Sequence, residues 1–561
     1  MGGVSRRRFL AGAAGAAAAG LVRPVRSLAL PALSSDTTLF THGVASGDPS
    51  TDGVVLWTRL DPGQFHASRL LWEVFPAGDP GTVLRAGEAV VDGDRDGTVQ
   101  VTVDGLPSGA ALGYRFTAER GLGGPSSNRS TGRPAQHVEG LTRTLPADPT
   151  RLRVGVVSCG KYSDGYFNAY QALVGMGCDL VLHLGDYIYA SASGRTSDPL
   201  GRWDTVAGRE HAPDRETKVL ADYRTRYRQY RADPDLKELH RSVPVVAVWD
   251  DNDIANNAWR DGNQAGEPPE VWFPRKRDGQ RAWSEYHPTR VGPPDADGNL
   301  AIWRRIRAGS LLDLFMLDTR LQRDQQVSND AAGSTAANDD PDRTMLGPAQ
   351  RQWLLDGLGE IPAEEVAWRV LGQGIVMTHW RVVGPPEHIG RLRKDIPLVQ
   401  DTEVAARLAD GGVYWNSDGW DGYTAERARL FEAFGETGDV IVLTGDVHSS
   451  WANELVPGAD PLEDPVGAEF VAPAASTRPF ASNVYGATPA FEAWFTAANP
   501  WIKYCDMDAN GFLVVDLEEE RAVARWFQVN AQDPAGPASS LASWATERGS
   551  RRVLPHVGEL D

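Results

Sequence analysis

The chain has 561 residues, with 56 Lys and Arg against 75 Asp and Glu, so its formal net charge is −19. This length is too great for one small module and fits two or three domains, or one large α/β domain with an appendage. The acidic balance argues against a protein that holds nucleic acid or an anionic membrane by bulk electrostatic attraction. A phosphate-containing substrate would therefore need a local source of positive charge.

Residues 1–35 have the pattern of an export signal. Arg6, Arg7 and Arg8 open a basic stretch, and an Ala- and Gly-rich segment follows at 11–22. This pattern predicts a twin-arginine signal peptide, and the twin-arginine export machinery would be its partner. A transmembrane anchor needs roughly 20 apolar residues, so we expect none here. The sequence predicts a secreted or cell-envelope protein, and loss of the five arginines of this segment would lower the net charge to −24.

Residues 36–148 contain short alternating strands separated by turn residues. The strand-like runs are 54–60, 69–75, 97–103 and 112–119. Turn residues recur between them at short intervals, which predicts a small antiparallel β-sandwich domain. Such a domain could bind carbohydrate or could be a structural cap, and the sequence leaves both interpretations open.

Residues 149–535 alternate buried strands with helix-like stretches, which predicts an α/β catalytic domain. The runs 511–519 and 521–529 predict a final antiparallel hairpin. Residues 536–561 are predicted to be a C-terminal tail, and 324–343 a surface loop or lid. The remaining predicted strands are 153–159, 179–186, 243–251, 311–318, 368–379, 439–448 and 468–476, and the predicted helices are 166–176, 217–230, 347–357 and 424–435.

Residues that can bind a metal follow nearly every predicted strand of this domain. Ligands in α/β folds gather at the carboxyl ends of strands, so we expect these side chains to converge in one crevice. A single Asp at a strand end often only caps a turn, whereas five such ends in succession are hard to explain by packing alone. The residues are Cys159, Asp186, Tyr189, Asp250, Asp251, Asn252, His379, Asp446 and His448.

The chemistry of these residues indicates two kinds of cation. Thiolate, phenolate, imidazole and carboxylate together suit a ferric-type ion, whereas Asp- and Asn-rich surroundings suit Ca²⁺, Mg²⁺ or Mn²⁺. Two metals that share Asp186 would polarise a phosphoryl oxygen and generate a hydroxide nucleophile. The pattern therefore favours hydrolysis of phosphoesters.

Several sequence blocks resemble those of one known family. The blocks are HGVASGDP (42–49), VVLWTRL (54–60), SCG (158–160), LHLGDYIY (182–189), WDDND (249–253), WDGY (420–423) and TGDVHSSW (444–451). In this order they are similar to the alkaline phosphatase D (PhoD-like) family of calcineurin-like metallophosphoesterases. The resemblance extends from about residue 40 to residue 530. A twin-arginine signal is also usual in that family.

This resemblance implies a fold and a set of metal ligands. The catalytic domain would be an αββα metallophosphoesterase sandwich, preceded by the small antiparallel β-sandwich domain. Asp186 would bridge the two metals, and Asp251 and Asp446 would approach a Ca²⁺ ion. The residues implied to hold Fe³⁺ are Cys159, Asp186, Tyr189 and His448.

Each of these assignments has an alternative. Cys159 could be a small buried hydrophobic residue, and Tyr189 could be an ordinary packed tyrosine. Asp186 and His448 could be turn residues. His183 alternates with the apolar residues of its strand, so it is predicted to be a hydrogen-bonded core histidine or a residue behind the ligands.

The chain departs from the family pattern at two candidate catalytic residues. Where the family usually has WDDH followed by an acid, this chain has Asn252 before Asp253. In metallophosphoesterases that histidine steadies the transition state or protonates the leaving group, and Asn cannot act as an acid. We therefore expect the best activity on esters with good leaving groups. His379 occupies the lone-histidine position of the wider superfamily and could bind the second metal, act as the missing acid, or be a core or surface residue.

The sequence thus predicts a secreted, metal-dependent phosphoesterase that hydrolyses phosphate mono- and diesters through a metal-activated hydroxide. One alternative is a phospholipase D-type phosphodiesterase of the same family. Another is a secreted binding protein whose metal site has decayed. The substrate would be a small phosphoester or a phospholipid, with Arg226 and Arg478 as candidate phosphate clamps, and no specific nucleic-acid binding is expected.

Overall fold

The computed structural model describes residues 39–61, 69–118, 136–194, 205–327, 337–382, 413–414, 416–458, 462–480 and 488–558. The predicted signal peptide at 1–35 lies outside these residues, as does 328–336 within the predicted loop or lid. Among the helices in the described ranges, none combines the length and the apolar character that a membrane span requires.

Seven strands form the N-terminal domain. They are β1 (Val44–Gly47), β2 (Gly53–Arg59), β3 (Arg69–Pro76), β4 (Arg85–Val90), β5 (Thr98–Asp104), β6 (Ala111–Ala118) and β7 (Gln136–Arg143). β1, β2 and β5 pair antiparallel, and β4, β3, β6 and β7 form a second antiparallel sheet in that order. Alternate residues of β6, Leu112, Tyr114 and Phe116, are buried in one core with Leu56 of β2. The period of two places them all on the inner face, so the layers form the predicted antiparallel sandwich.

The rest of the described chain contains sixteen strands and seven helices. The strands are β8 (Arg151–Val157), β9 (Leu180–Leu184), β10 (Val245–Val248), β11 (Arg304–Ala308), β12 (Leu312–Met316), β13 (Trp368–Gly372), β14 (Arg381–Val382), β15 (Val413–Tyr414), β16 (Val440–Thr444), β17 (Ser450–Leu455), β18 (Gly467–Val471), β19 (Ile502–Asp506), β20 (Asn510–Glu518), β21 (Arg521–Val529), β22 (Ser539–Glu547) and β23 (Val553–Pro555). The helices are α1 (Asn168–Val174), α2 (Leu220–Ala232), α3 (Pro234–Ser242), α4 (Pro269–Tyr286), α5 (Gly347–Gly359), α6 (Thr424–Thr437) and α7 (Thr488–Ala498).

Two large sheets form the catalytic domain. The first has the order β23-β22-β21-β20-β8-β9-β10-β1-β2-β5, and the second has the order β11-β12-β13-β16-β18-β17-β19. β8, β9 and β10 run parallel to one another, as do β12, β13, β16 and β18. β1 pairs in parallel with β10 at Gly47 and Val245. One layer of the N-terminal sandwich therefore continues the first catalytic sheet.

The two sheets pack face to face. Val154 and Leu182 of the first sheet lie against Leu314 and Leu443 of the second. β9, β12 and β16 are buried along their whole length, as expected for parallel strands covered on both faces. Their apolar runs therefore predicted strands without the alternation of the N-terminal domain.

Helices cover the outer face of each sheet. His183 of β9 is buried beneath α1, where its Nε2 lies 3.1 Å from the hydroxyl of Tyr170, so it is the predicted core histidine. Phe315 of β12 shares a buried cluster with Leu354 of α5 and Leu430 of α6. The layers thus follow the order helix, sheet, sheet, helix, and the predicted αββα sandwich is confirmed.

Residues 536–558, the described part of the predicted C-terminal tail, are not a separate tail. β22 pairs antiparallel with β21 from Gln528 and Ser539 to Arg521 and Glu547, and β23 pairs with β22. The backbone N–H of Val553 also donates to Glu454 Oε1 at 3.0 Å. The small polar residues of β22 hide its strand character in the sequence, but its pairing extends the first sheet.

Candidate metal centre

The strand ends that carry the predicted ligands meet at one edge of the two sheets. Cys159 lies just after β8 and Asp186 just after β9, while residues 446–448 follow β16 of the second sheet. Ser158 and Ala474 form a parallel bridge between the segments that follow β8 and β18. This bridge joins the two sheets where their carboxyl ends converge, which is the edge at which α/β folds bind ligands.

Four residues form the first ligand group. Cys159 Sγ, a carboxylate oxygen of Asp186 and a ring nitrogen of His448 lie within 4.8 Å of one another. Tyr189 joins them, because its hydroxyl lies 3.4 Å from His448 Nε2. Cys159, Asp186 and Tyr189 are buried, whereas His448 is half-buried. All four residues predicted to hold the ferric ion therefore lie together.

A second group of carboxylates shares Asp186. One oxygen each of Asp186, Asp250 and Asp251 lie within 4.8 Å of one another. Asp250 is already engaged, because Arg320 Nε and Nη2 donate to its two oxygens at 2.5 and 3.0 Å. Asp186 and Asp251 remain available for a cation.

The side chain of Asn252 lies between these two carboxylates. Its Nδ2 donates to Asp186 Oδ2 at 3.1 Å and to Asp251 Oδ1 at 3.0 Å, and its backbone N–H donates to Asp186 Oδ1 at 3.1 Å. Rotation of the amide by half a turn would present its oxygen at the same place, and an amide oxygen is a ligand that Ca²⁺ accepts. The structure thus brings Asn252 directly to the second group.

Arg320 is a buried residue of the site that the sequence did not reveal. Besides Asp250, its Nη2 donates to Asp446 Oδ1 at 2.9 Å and its Nη1 to Asp418 Oδ2 at 2.7 Å. Arg323 Nη2 donates to the second oxygen of Asp418 at 2.8 Å. Both arginines follow β12, another strand end, and that position was their one sequence signal. Arg320 fixes the orientation of Asp446, which is half-buried.

Two glycines allow the turns that carry Asp186 and Asp446. Gly185 has a φ of +97°, and a Cβ on it would lie 2.4 Å from the backbone nitrogen of Asp250. A Cβ on Gly445 would lie 2.3 Å from Ser158 Oγ. The Gly-Asp pair of both sequence blocks therefore has a steric cause, since a larger residue would push the strand ends apart.

Four predicted ligands have a left-handed backbone. Cys159, Asp186, Asp446 and His448 have φ values of 56°, 53°, 63° and 51°. For residues with a Cβ this conformation costs about 1 kcal/mol each or more. Such strain persists where the surrounding fold imposes it, and it clusters at functional sites. The fold therefore holds these side chains in place at the expense of local stability.

Electrostatics at the centre favour the binding of positive charge. Burial raises the pKa of Asp186 well above its usual value, and the nearby carboxylates of Asp251 and Asp250 raise it further. Burial likewise raises the pKa of Cys159 and of Tyr189, in both cases with help from Asp186. Each of these groups is harder to ionise because it is buried near the others. A bound cation would stabilise their ionised forms and lower their pKa values.

Burial also shifts the pKa values of His448 and Asp446. Burial lowers the pKa of His448 to about 4, so its ring is neutral near pH 7 and a nitrogen lone pair is available to a metal. Burial raises the pKa of Asp446 to about 6, although Arg320 opposes that shift. The donor set of sulfur, nitrogen and carboxylate oxygen fits a transition metal beside a harder ion.

His379 does not belong to this centre. Its Nε2 donates to the carbonyl oxygen of Val456 at 3.0 Å, and its Nδ1 accepts from Arg427 Nη2 at 2.6 Å. The ring packs edge-on against Phe431 and Trp501. Both nitrogens are occupied, so the expectation that His379 binds the second metal or supplies a proton is corrected, and its core alternative holds.

The two candidate phosphate clamps also differ from one another. Arg226 is fully buried, and its guanidinium donates to the carbonyl oxygens of Tyr189 and Ser191, so it is a structural residue and not a clamp. Arg478 is half-buried and its backbone contacts the ring of His448. Arg478 therefore lies at the edge of the centre.

Known proteins are similar to this chain along most of its length. The family model described as PhoD-like phosphatase matches residues 154–526, and the model for the N-terminal domain of PhoD-like phosphatases matches residues 27–146. The chain belongs to the PhoD-like phosphatase family. Alkaline phosphatase D of Bacillus subtilis (strain 168) is 33% identical over 448 residues, which cover 77% of this chain and 68% of that protein.

A solved structure of PhoD is similar along nearly the whole chain. The TM-score is 0.77 at 28% sequence identity, over 93% of this chain and 92% of the other. The resemblance noted in the sequence and the fold it implied are thereby confirmed, and family membership supports a phosphoesterase function. In this PhoD-like phosphatase, β22 and β23 lie beyond the residues that the family model matches.

Proposed function

We propose that this PhoD-like phosphatase is a metal-dependent hydrolase of phosphate mono- and diesters that acts outside the cytoplasm. The observation that carries the proposal is the convergence of Cys159, Asp186, Tyr189 and His448 in one group, next to a carboxylate pair that shares Asp186. A thiol, a phenol, an imidazole and a carboxylate have little reason to meet at a strained strand edge unless they bind a metal.

Two cations fit the two groups. The four residues of the first group would hold Fe³⁺, because thiolate, phenolate and carboxylate are anionic donors that suit a ferric ion. Asp186, Asp251 and Asp446, together with the amide oxygen of Asn252, would hold Ca²⁺, which prefers oxygen ligands. When bound, the pair would polarise a phosphoryl oxygen and lower the pKa of a bound water.

The chain's own residues orient these ligands. Asp251 is held at both carboxylate oxygens, because the backbone N–H of Asn252 donates to Oδ1 at 2.8 Å and that of Asn257 donates to Oδ2 at 2.5 Å. Lys161 is buried beside Tyr189, with its ammonium 5.7 Å from the centre of the Tyr189 ring. That ammonium is paired with Asp164 Oδ1 at 2.9 Å, so its charge is already compensated within the protein.

Proton supply to the leaving group is the weak point of this site. Asn252 has no proton that it can transfer, and both ring nitrogens of His379 have protein partners. We therefore propose that the enzyme acts best on esters whose leaving group departs without protonation, such as aryl phosphates.

The proposed export signal supports a role outside the cytoplasm. The proposed twin-arginine signal covers residues 1–35, and that route carries folded proteins, so the metals would be bound before export. Cleavage near residue 35 would leave the strands of the N-terminal domain intact, since β1 begins at Val44.

The test is hydrolysis of bis(4-nitrophenyl) phosphate and 4-nitrophenyl phosphate by the purified chain, alongside metal analysis. Cys159→Ala should abolish activity and iron binding. Cys178→Ala is the matched control, because Cys178 is half-buried beside Gly155 on the helix side of the first sheet, away from the ligand group. A well-folded wild-type protein that binds no metal and hydrolyses neither ester would refute the proposal and favour a binding protein with a decayed site.

A further inference from the structure

Thr477 touches two of the residues proposed to hold iron. Its Oγ1 lies 2.8 Å from the hydroxyl oxygen of Tyr189 and 2.7 Å from the carbonyl oxygen of Cys159. The side chain is buried and follows β18 in the segment that runs beside Cys159. A single hydroxyl thus connects a ligand from the β8 end with one from the β9 end.

The backbone around Thr477 is held on both sides. Its N–H donates to the carbonyl oxygen of Cys159 at 3.1 Å, and its own carbonyl oxygen accepts from Asn510 Nδ2 at 2.7 Å. The bridge between Ser158 and Ala474 lies a few residues earlier in the same segment. The fold therefore fixes the position of the hydroxyl.

The hydroxyl carries one proton and has two acceptors in reach. The carbonyl oxygen of Cys159 already accepts the backbone N–H groups of Thr477 at 3.1 Å and Ser476 at 3.4 Å. The carbonyl oxygen of Cys159 therefore still accepts hydrogen bonds when the hydroxyl of Thr477 donates to Tyr189 instead. The oxygen of Tyr189 has His448 Nε2 at 3.4 Å, which is too long for a strong hydrogen bond. The hydroxyl of Thr477, at 2.8 Å, is an uncharged hydrogen-bond donor close to the oxygen of Tyr189.

We propose that Thr477 is a positioning residue that donates its hydroxyl proton to the oxygen of Tyr189 and tunes the electron donation of that oxygen to iron. This role rests on the ferric site of the proposed function. Hydrogen bonds from residues behind the ligands orient those ligands and set the electronic properties of the metal. Thr477 would act only through Tyr189 and would not touch the substrate.

The proposal predicts a spectroscopic change with a definite direction. A ferric ion bound to phenolate absorbs visible light by moving an electron from the phenolate to the metal. A hydrogen bond to the phenolate oxygen stabilises the electrons that move, so it raises the energy of this transition. Loss of the hydrogen bond should shift the absorption maximum to longer wavelength and lower the reduction potential of the iron.

The experiment compares visible spectra and iron content of the purified full-length holoprotein. Thr477→Val removes the hydroxyl with little change of shape, and Thr477→Ser retains it. Ser476→Ala is the matched control, because it removes the neighbouring buried hydroxyl, which donates to the carbonyl oxygen of Lys161 at 3.0 Å and not to Tyr189. Thr477→Ala replaces the Val variant if that variant does not fold.

We expect a red-shifted maximum in Thr477→Val, and wild-type maxima in Thr477→Ser and Ser476→Ala, all with wild-type iron content. An unshifted maximum in an iron-loaded Thr477→Val protein would overturn the role of Thr477 and leave the proposed function intact. A wild-type holoprotein that contains no iron, or has no visible band, would overturn the ferric site and the role of Thr477 together.

Discussion

Two neighbouring parallel strands, β13 and β16, are each followed by a histidine, and the fates of these histidines differ. His448 comes four residues after β16 and lies in the ligand group. His379 comes seven residues after β13 and lies in a core where Arg427 and Val456 occupy its ring nitrogens. Residues that come directly after a strand lie in the crevice at the carboxyl ends of the strands. Residues farther along a longer connection can lie outside this crevice.

The backbone explains this difference. The turn after β16 is tight, with Asp446 and His448 both in the left-handed region and Gly445 packed against Ser158. The segment after β13 is longer, and the side chain of Glu469 accepts the backbone N–H groups of Met377 and Thr378. That carboxylate fixes the segment away from the centre. His448 thus follows a strained turn and lies among the ligands. His379 follows a segment held by hydrogen bonds to Glu469 and lies in the core.

The largest effect is expected at the residue that both ligand groups share. Asp186→Asn removes a charge from each group at once, so both cations should be lost. Replacement of residues behind a metal ligand already costs about 10- to 100-fold, so activity on an aryl diester should fall below about 1% of wild type. Iron and calcium content measured with the activity checks this, and an Asp186→Asn protein with full metal content would contradict the shared role.

The two histidines provide a direct test of the comparison. His448→Ala should lose iron and lower activity about 100-fold or more. His379→Ala should keep its metals and most of its activity but lose about 1 to 3 kcal/mol of stability, because the buried guanidinium of Arg427 loses a partner. Metal content and denaturant unfolding separate the two outcomes. Loss of iron in His379→Ala would show that the comparison is wrong.

How far the sequence predicts this molecule depends on how local each feature is. The ends of β8, β9 and β16 could be found because an apolar run followed by Cys, Asp or His is a pattern of neighbouring residues. Arg320 could not, since it acts on Asp250 and Asp446 across separations of 70 and 126 residues. Only the packing of the two sheets brings that guanidinium to the carboxylates.

The helix α4 was missed for a related reason. Pro274 and Gly279 lie inside it, and both residues argue locally against a helix. Its tertiary contacts override that preference, since Trp283 is buried against Trp249 and a Cβ on Gly279 would lie 2.7 Å from Ile254 Cδ1. Burial of large aromatic side chains outweighs the unfavourable helix propensities of about 1 kcal/mol for the glycine and about 3 kcal/mol for the proline.

An intermediate effect is expected at Asn252, and it tests whether this residue supplies a proton to the leaving group. Asn252→Ala should weaken Ca²⁺ binding about 10- to 100-fold, because the substitution removes the side-chain amide that contacts the carboxylates of Asp186 and Asp251. Rates on an aryl and an alkyl phosphate ester should fall by the same factor, since Asn252 donates no proton to the leaving group. Titration with Ca²⁺ and kinetics on both esters measure this.

The matched variant at this position is Asn252→His, which introduces the residue usual in the family. It should raise the rate on the alkyl ester more than on the aryl ester, because an imidazole can protonate a poor leaving group. A selective loss of alkyl ester hydrolysis in Asn252→Ala would instead mean that the amide acts at the leaving group.

The smallest effect concerns the pH dependence of the metal-free protein. Asp446 has a pKa of about 6 in the folded chain, against 3.8 for the ordinary group. Below about pH 4 the carboxyl is protonated in both folded and unfolded chains, and above about pH 6 the folded chain must ionise it at a cost. Stability should therefore fall as the pH rises between these values.

Urea unfolding in the presence of a chelator measures this loss, and Asp446→Asn is its control. The variant should lack most of the decline, and added Ca²⁺ should remove the decline from the wild type, because a cation stabilises the ionised carboxylate. An equal decline in wild type and variant would assign the pH dependence to another group.

We propose that one metal ion binds to Cys159, Asp186, Tyr189 and His448. Anomalous diffraction at the iron absorption edge, from crystals of the protein as purified, tests it most directly. We expect a single strong peak within bonding distance of Cys159 Sγ, the Tyr189 oxygen and a ring nitrogen of His448, about 2.0 to 2.4 Å away. An iron peak at any other place, or an iron-free protein that still hydrolyses phosphodiesters, would contradict it.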